Sequence, residues 1–241
     1  MTHRMANILL SGRCNLRCPA CIGRQPGRVL PDNLERFPLA GMARFEARLM
    51  RLGIREITIT GTNTDPLLHK HLGELVARLN ARVAGARINL HTNGVLALER
   101  LSVIRRCNRV CISLPSFQPR TCRAMTGSSR VLDLERIVQG VGIPVKVSVL
   151  LSPHNLEQIP SILVRCRAAG VRRVVLRQLW PGPSLPLALG DAEPVRWFAG
   201  NPVYNLDGME VTVWSFGETR LPCLNLFSDG SMSHAYLLHQ A

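Results

Sequence analysis

The sequence predicts an α/β fold: a partial, open (β/α)6 barrel of parallel strands followed by a short C-terminal β extension. Three observations predict it. Six short apolar runs, at 6–10, 56–60, 87–90, 110–114, 145–151 and 173–179, read as strands. Helical patterns lie between them, at 38–52, 67–81, 96–105, 131–140 and 156–169. Such alternation means parallel strands joined by helical crossovers. After the proline-rich breaker Trp180-Pro181-Gly182-Pro183 the pattern turns to β alone.

The first run ends in the turn Ser11-Gly12-Arg13 and leads to Cys14, Cys18 and Cys21. The second exits into small polar residues around Gly61, where a glycine lets backbone approach a ligand closely, and Asp65 is placed to cap the helix that follows. The third exits into His91-Thr92-Asn93-Gly94, and Asn-Gly makes a tight turn on any fold. In the fourth, alternation puts Cys111 and Ser113 on one face and Val110, Ile112 and Leu114 on the other. In the fifth, Lys146 and Ser148 share a face, and Asn155 is placed to cap the next helix. The sixth ends in Arg177-Gln178-Leu179. In barrels of this kind chemistry sits on the loops at the C-terminal ends of the strands, and these polar loops fall there. The tail adds a strand at 208–216 and a hairpin, 223–227 with 231–238, around Ser228-Asp229-Gly230. The expected organisation is therefore a barrel over 1–180 and an extension over 181–241 that closes its mouth.

The 241-residue chain is 46% apolar, enough to fill the core of one large α/β domain. No run of about 18 apolar residues predicts a membrane span. The N-terminal stretch lacks a signal-peptide pattern, so a cytoplasmic protein with reduced thiols is expected. The formal charge of +14 comes from 28 Arg and 2 Lys against 16 acidic residues. That field favours anionic partners: a nucleotide, a phosphorylated substrate, an acidic peptide or a reductant protein. The arginines are scattered and aromatic residues make up 5% of the chain, which argues against a nucleic-acid partner.

The C-x3-C-x2-C loop, Cys14 to Cys21, places three thiols within eight residues. Three thiolates so close can converge on one metal centre and leave one iron of a four-iron cluster open to a non-protein ligand. Structural zinc usually takes four protein ligands, commonly in two pairs. A disulfide framework needs an oxidising compartment. Buried apolar thiols do not suit a loop that also carries Asn15, Arg17 and Pro19.

The stretch Cys14-Asn15-Leu16-Arg17-Cys18-Pro19-Ala20-Cys21, directly after a first strand, resembles the signature of the radical S-adenosylmethionine (SAM) superfamily. Within it, the match is to the branch of the molybdenum-cofactor cyclase and the peptide-modifying enzymes, and the resemblance runs over residues 6–180. It implies a [4Fe–4S] cluster on Cys14, Cys18 and Cys21, with the amino and carboxylate groups of SAM on the open iron. One electron from the cluster then cleaves SAM to methionine and a 5′-deoxyadenosyl radical, which abstracts hydrogen from a substrate. It also implies SAM contacts from Gly61 and Asp65, which stand where the family has Gly-Gly-Glu-Pro. The second glycine and the glutamate are absent here. Thr92, Ser113, Ser148 and Gln178 inherit further SAM contacts, with Leu179 against the adenine. Lys146 and Asn93 fall on the substrate side. Cys107 and Cys111 are expected to be buried thiols, and Cys122 follows strand four. Cys223 resembles the start of an auxiliary-cluster extension, but no cysteine follows it, so one cluster is expected.

The expected function is that of a radical SAM enzyme acting on a small, anionic, metabolite or nucleotide-like substrate in cofactor or natural-product biosynthesis. An external one-electron reductant such as flavodoxin or ferredoxin would serve it. The alternatives are modification of a ribosomal peptide, activation of a glycyl-radical protein and, from another class, a non-catalytic metal-binding interaction module.

Overall fold

A computed structural model describes residues 5–21, 23, 30–182, 184–187, 189–190, 192–219 and 221–234. Six strands follow the predicted order: β1 Met5–Leu10, β2 Glu56–Gly61, β3 Arg87–Thr92, β4 Arg109–Ser113, β5 Val145–Leu150 and β6 Arg173–Arg177. Five more come after them: β7 Arg196–Phe198, β8 Asn201–Leu206, β9 Met209–Trp214, β10 Cys223–Leu226 and β11 Met232–Ser233. The helices are α1 Met42–Leu52, α2 Leu72–Arg82, α3 Leu101–Ile104, α4 Pro119–Thr126, α5 Leu134–Val141 and α6 Ile159–Ala168. The chain packs as two compact units.

The first unit comprises Met1–Asn15, Cys21–Val110 and Leu221–Ala241. Its strand order is β11-β10-β1-β2-β3. β1 and β2 pair in parallel from Met5↔Glu56 to Leu10↔Gly61, and β2 and β3 from Glu56↔Arg87 to Ile59↔Leu90. The apolar members of these strands, among them Ile8, Ile57, Ile59, Ile88 and Leu90, are buried. α1 turns Met42, Phe45 and Leu49 inward at helical spacing. Its Glu46 is buried as well and takes a two-pronged bond from Arg78 of α2, at 2.6 and 2.8 Å. The tail strand β10 runs parallel to β1, with a buried bond from the Asn7 amide to Asn225 Oδ1 at 2.8 Å. Arg44 donates to the Gly230 carbonyl at 2.8 Å and ties the β10–β11 turn to α1.

The second unit comprises Leu16–Ala20 and Cys111–Arg220. Its strand order is β4-β5-β6-β9-β8-β7. β5, β6 and β9 are parallel, with Val147, Val174 and Val211 in one buried row. β8 and β7 then add antiparallel.

Some expectations change. The helix predicted at 67–81 is broken: Pro66–Leu68 makes one 3-10 turn and α2 begins at Leu72. Asp65 caps that turn and Pro66 fits its first position, so the chain stops and restarts. The helix predicted at 96–105 shrinks to α3, because residues 94–100 are spent on turns such as Ala97 N–H to Gly94 O at 3.0 Å. β7, β8 and α4 were not predicted. Gly200, Pro202 and Pro119 read as breakers but stand at a turn, in a strand outside the parallel set and at a helix start. Asn155 does not cap with its side chain; its amide donates to the Pro115 and Leu150 carbonyls at 2.9 Å each. The hairpin residues predicted beyond 234 lie outside the described residues. Among the described residues no helix is long and apolar enough to cross a membrane.

Candidate cofactor site

β1 delivers its C-terminal end into the cysteine loop, and in the first unit the loops after β2 and β3 are bonded to that end. Thr62 N–H and Oγ1 both donate to the Leu10 carbonyl, at 2.8 and 2.9 Å. Asn63 Oδ1 accepts from Ser11 Oγ at 3.0 Å and from Gly12 N–H at 3.1 Å. Thr64 Oγ1 donates to the Arg13 carbonyl at 3.2 Å. Gly23, two residues past Cys21, lies so near this loop that a Cβ there would stand 2.4 Å from Thr62 O. A Cβ on Gly61 would stand 1.9 Å from Thr64 O, so only glycine lets the loop fold back. Asn63, Asn15 and Gly23 were not singled out from the sequence. Their signal was weak, small polar or glycine residues beside a motif.

Asp65 holds the β2 loop to the β3 loop. Its buried carboxylate accepts Leu67 N–H at 2.9 Å, Thr92 Oγ1 at 2.8 and 2.9 Å, and Asn93 N–H at 2.6 Å. Burial pushes its pKa above the ordinary value, and the bonds from Asn93, Thr92 and Leu67 pull it back. Thr92 is buried too, and its hydroxyl accepts Gly94 N–H at 3.1 Å. The two side chains are spent on each other and on local backbone. Asn93 reaches the cysteine loop: Nδ2 stands 2.7 Å from Asn15 Oδ1 and 3.9 Å from Cys14 Sγ. The structure thus brings together Cys14, Gly61, Asp65, Thr92 and Asn93.

In the second unit, Arg17 N–H donates to Thr126 O at 2.9 Å, so the end of α4 holds the stretch that bears Cys18. Ser113 is exposed at the C-terminal end of β4, whereas Cys111 on the same face is buried. Ser148 is buried in the middle of β5. Lys146 is half-buried one residue into β5. Four residues of strand, about 13 Å, separate it from the end at Leu150. Gln178 is buried, and its amide exchanges two bonds with the backbone of Leu185, at 2.8 and 3.1 Å. Leu179 follows it, half-buried.

The eight cysteines fall into two classes. Cys14, Cys18 and Cys21 are half-buried; Cys107, Cys111, Cys122, Cys166 and Cys223 are buried. Burial pushes the Cys107 and Cys166 thiols up to about 12, and raises Cys122 and Cys223 as well. Among the described residues no disulfide is formed.

Residues 8–166 match the family described as the Radical SAM superfamily. The chain belongs to the radical SAM superfamily. GTP 3′,8-cyclase of Desulforamulus reducens is 35% identical over 134 residues, 55% of this chain and 40% of that protein. GTP 3′,8-cyclase 2 of Mycobacterium tuberculosis is 32% identical over 193 residues, 73% of this chain and 51% of that protein. This radical SAM chain spans about half the length of the curated relatives it matches. Streptococcus suis SuiB bound to S-adenosylmethionine superposes with a TM-score of 0.58 at 14% identity, over 75% of this chain and 42% of that one. Native anSMEcpe with bound AdoMet and Kp18Cys peptide gives 0.54 at 10% identity, over 78% of this chain and 54% of that one. The expected α/β partial-barrel class and the expected family of enzymes are borne out, and with them the family's cofactors, a [4Fe–4S] cluster and SAM.

The donor set fits the cluster. Among the described residues no three His, Cys, Asp or Glu side chains already stand as a metal-holding group. The three cysteines of the loop are nevertheless the half-buried ones, and thiolate sulfur is the ligand iron–sulfur clusters take. The other five thiols are buried.

Proposed function

We propose that this chain is a radical SAM enzyme acting on a small, anionic, nucleotide-like substrate in cofactor or natural-product biosynthesis. The cysteine loop carries the proposal: half-buried thiols lie on the loop that leaves β1, whose neighbouring turns are bonded to the loops after β2 and β3. Its curated relatives are named GTP 3′,8-cyclases, which supports the nucleotide-like class. The net charge of +14 supports an anion.

When bound, the cluster supplies the electron that cleaves SAM into methionine and a radical able to take hydrogen from substrate. In this proposal Cys14, Cys18 and Cys21 hold the cluster. Gly61 gives the β2 loop the close fold that backbone contact to SAM requires. Asp65 and Thr92 act by fixing the β2 and β3 loops against each other, their polar atoms already occupied. Ser113, exposed at a strand end, is offered to SAM, and Ser148, Gln178 and Leu179 are assigned the further SAM contacts, Leu179 that to the adenine. Gln178 also holds the segment at Leu185 in place. Lys146, about 13 Å of strand from the loop end of β5, is given no substrate contact in this reading. Residues 1–180 carry the cofactors and 181–241 are the appended β segment. The reductant is an external one-electron carrier such as flavodoxin or ferredoxin, and the compartment is the cytoplasm.

Cys14→Ala, Cys18→Ala and Cys21→Ala should each lose iron, sulfide and 5′-deoxyadenosine formation. Full iron content in all three overturns the cluster assignment. A panel of nucleoside triphosphates and short peptides then tests the substrate class. Nucleotides should raise the yield of 5′-deoxyadenosine; stimulation by peptides alone overturns the nucleotide-like class.

A further inference from the structure

We infer that Asn93 is a positioning residue for the cluster: its amide donates an N–H to the Cys14 sulfur and raises the cluster's reduction potential. The inference rests on the cluster assignment proposed above. It gives Asn93 a task other than the substrate contact expected from the sequence.

The amide has one workable orientation. Asn93 Oδ1 accepts Val95 N–H at 3.0 Å, and a flipped amide would lose that bond. Nδ2 is thereby turned toward the cysteine loop. Its two hydrogens have two acceptors there, Asn15 Oδ1 at 2.7 Å and Cys14 Sγ at 3.9 Å. The backbone beneath is fixed as well: Asn93 N–H is bonded to Asp65, and Asp65 to Thr92 and Leu67. Few rotameric alternatives remain, so the donor is pre-aimed.

The chemistry of the sulfur gives the direction of the effect. As a thiol, Cys14 donates to Asn15 Oδ1 at 3.5 Å. On binding iron the sulfur gives up its proton and can only accept. The bond to Asn15 is lost, and the bond from Asn93 becomes charge-assisted and stronger. Asn15 keeps the other amide hydrogen and so holds the amide plane in place. A hydrogen bond to a cluster sulfur favours the more negative, reduced state, and such bonds are among the determinants of cluster potential. Asn93 therefore eases the arrival of the electron from the external carrier.

The test is an EPR-monitored redox titration of the reconstituted full chain, with iron and sulfide counted, for wild type, Asn93→Ala and Asn93→Asp. At the wild-type midpoint, the ratio of reduced to oxidised cluster should fall about tenfold in Asn93→Ala, which is about 59 mV for a one-electron couple. It should fall further in Asn93→Asp, where one carboxylate oxygen keeps Val95 N–H and the other faces the sulfur. A variant with wild-type circular dichroism that fails to retain iron also supports the grip on Cys14. Fully loaded variants with the wild-type potential overturn the role of Asn93 alone, and that is the result a pure substrate contact would give. Wild type that takes up no iron overturns the cluster assignment and this inference together.

Discussion

Burial alone sorts the eight thiols of this chain. A thiol pushed up to about 12, as at Cys107 and Cys166, carries almost no thiolate at pH 8 and is sheltered from reagents. Brief alkylation of the folded, metal-free protein at pH 8, mapped by mass spectrometry, should therefore label Cys14, Cys18 and Cys21 first. Labelling of Cys107 and Cys166 should wait for denaturant, and early labelling there would contradict their burial. Gly61 offers a second test at this scale. A methyl group there meets the Thr64 carbonyl oxygen at 1.9 Å, so the backbone of the loop must shift to admit it. Gly61→Ala should cost about 3 kcal/mol in a urea melt. An unchanged midpoint would mean that the loop has another conformation. Thr92→Val leaves Asp65 without its hydroxyl donor and should cost about 2 kcal/mol.

Individual elements show why some of the fold was legible in the sequence and some was not. The six strands β1 to β6 were legible because each is a β-branched or leucine-rich run bounded by polar turns, as in Glu56–Gly61 and Val145–Leu150. The helix after β2 was misread because apolar spacing continues through Pro66–Leu68, whereas Asp65 ends the local pattern by capping it. The short β7 and β8 were illegible because Pro202 and Gly200 carry breaker signals. In the site, spacing revealed the cysteines, but the bonds that organise their loop come from Asn63 and Asn15, residues with no motif of their own. Asp65 and Thr92 are expected from the sequence as SAM contacts, and the structure shows their polar atoms bonded to each other and to local backbone. A long-range pair such as Glu46 with Arg78 leaves no local signal at all. It nonetheless bonds α1 to α2, and Glu46→Ala, which strands a partly buried guanidinium, should cost about 3 kcal/mol by chemical denaturation.

At the scale of the whole chain, two buried groups give the stability opposite pH dependences: Asp65, whose raised pKa favours the folded state as pH falls, and His69. His69 accepts His71 N–H at Nδ1, and burial lowers its pKa below the ordinary 6.5. The unfolded chain binds a proton near that ordinary value, while the folded chain binds it only at lower pH. The unfolded state therefore holds more protons in that window, and this contribution to stability is lost as pH falls below about 6.5. Across urea midpoints at pH 7.5, 6.5 and 5.5, His69→Gln should gain stability relative to wild type as the pH falls; a difference that stays constant with pH would contradict the role of His69.

The central claim, that this chain uses a thiolate-held cluster to cleave SAM, is tested most directly under anaerobic conditions. The purified protein is reconstituted with iron and sulfide, reduced, given SAM and assayed for 5′-deoxyadenosine by mass spectrometry. The account predicts 5′-deoxyadenosine together with a four-iron EPR signal that changes when SAM is added. Failure to bind iron, or iron bound with no cleavage of SAM under any reductant, would contradict it and make the cysteine loop a structural metal site.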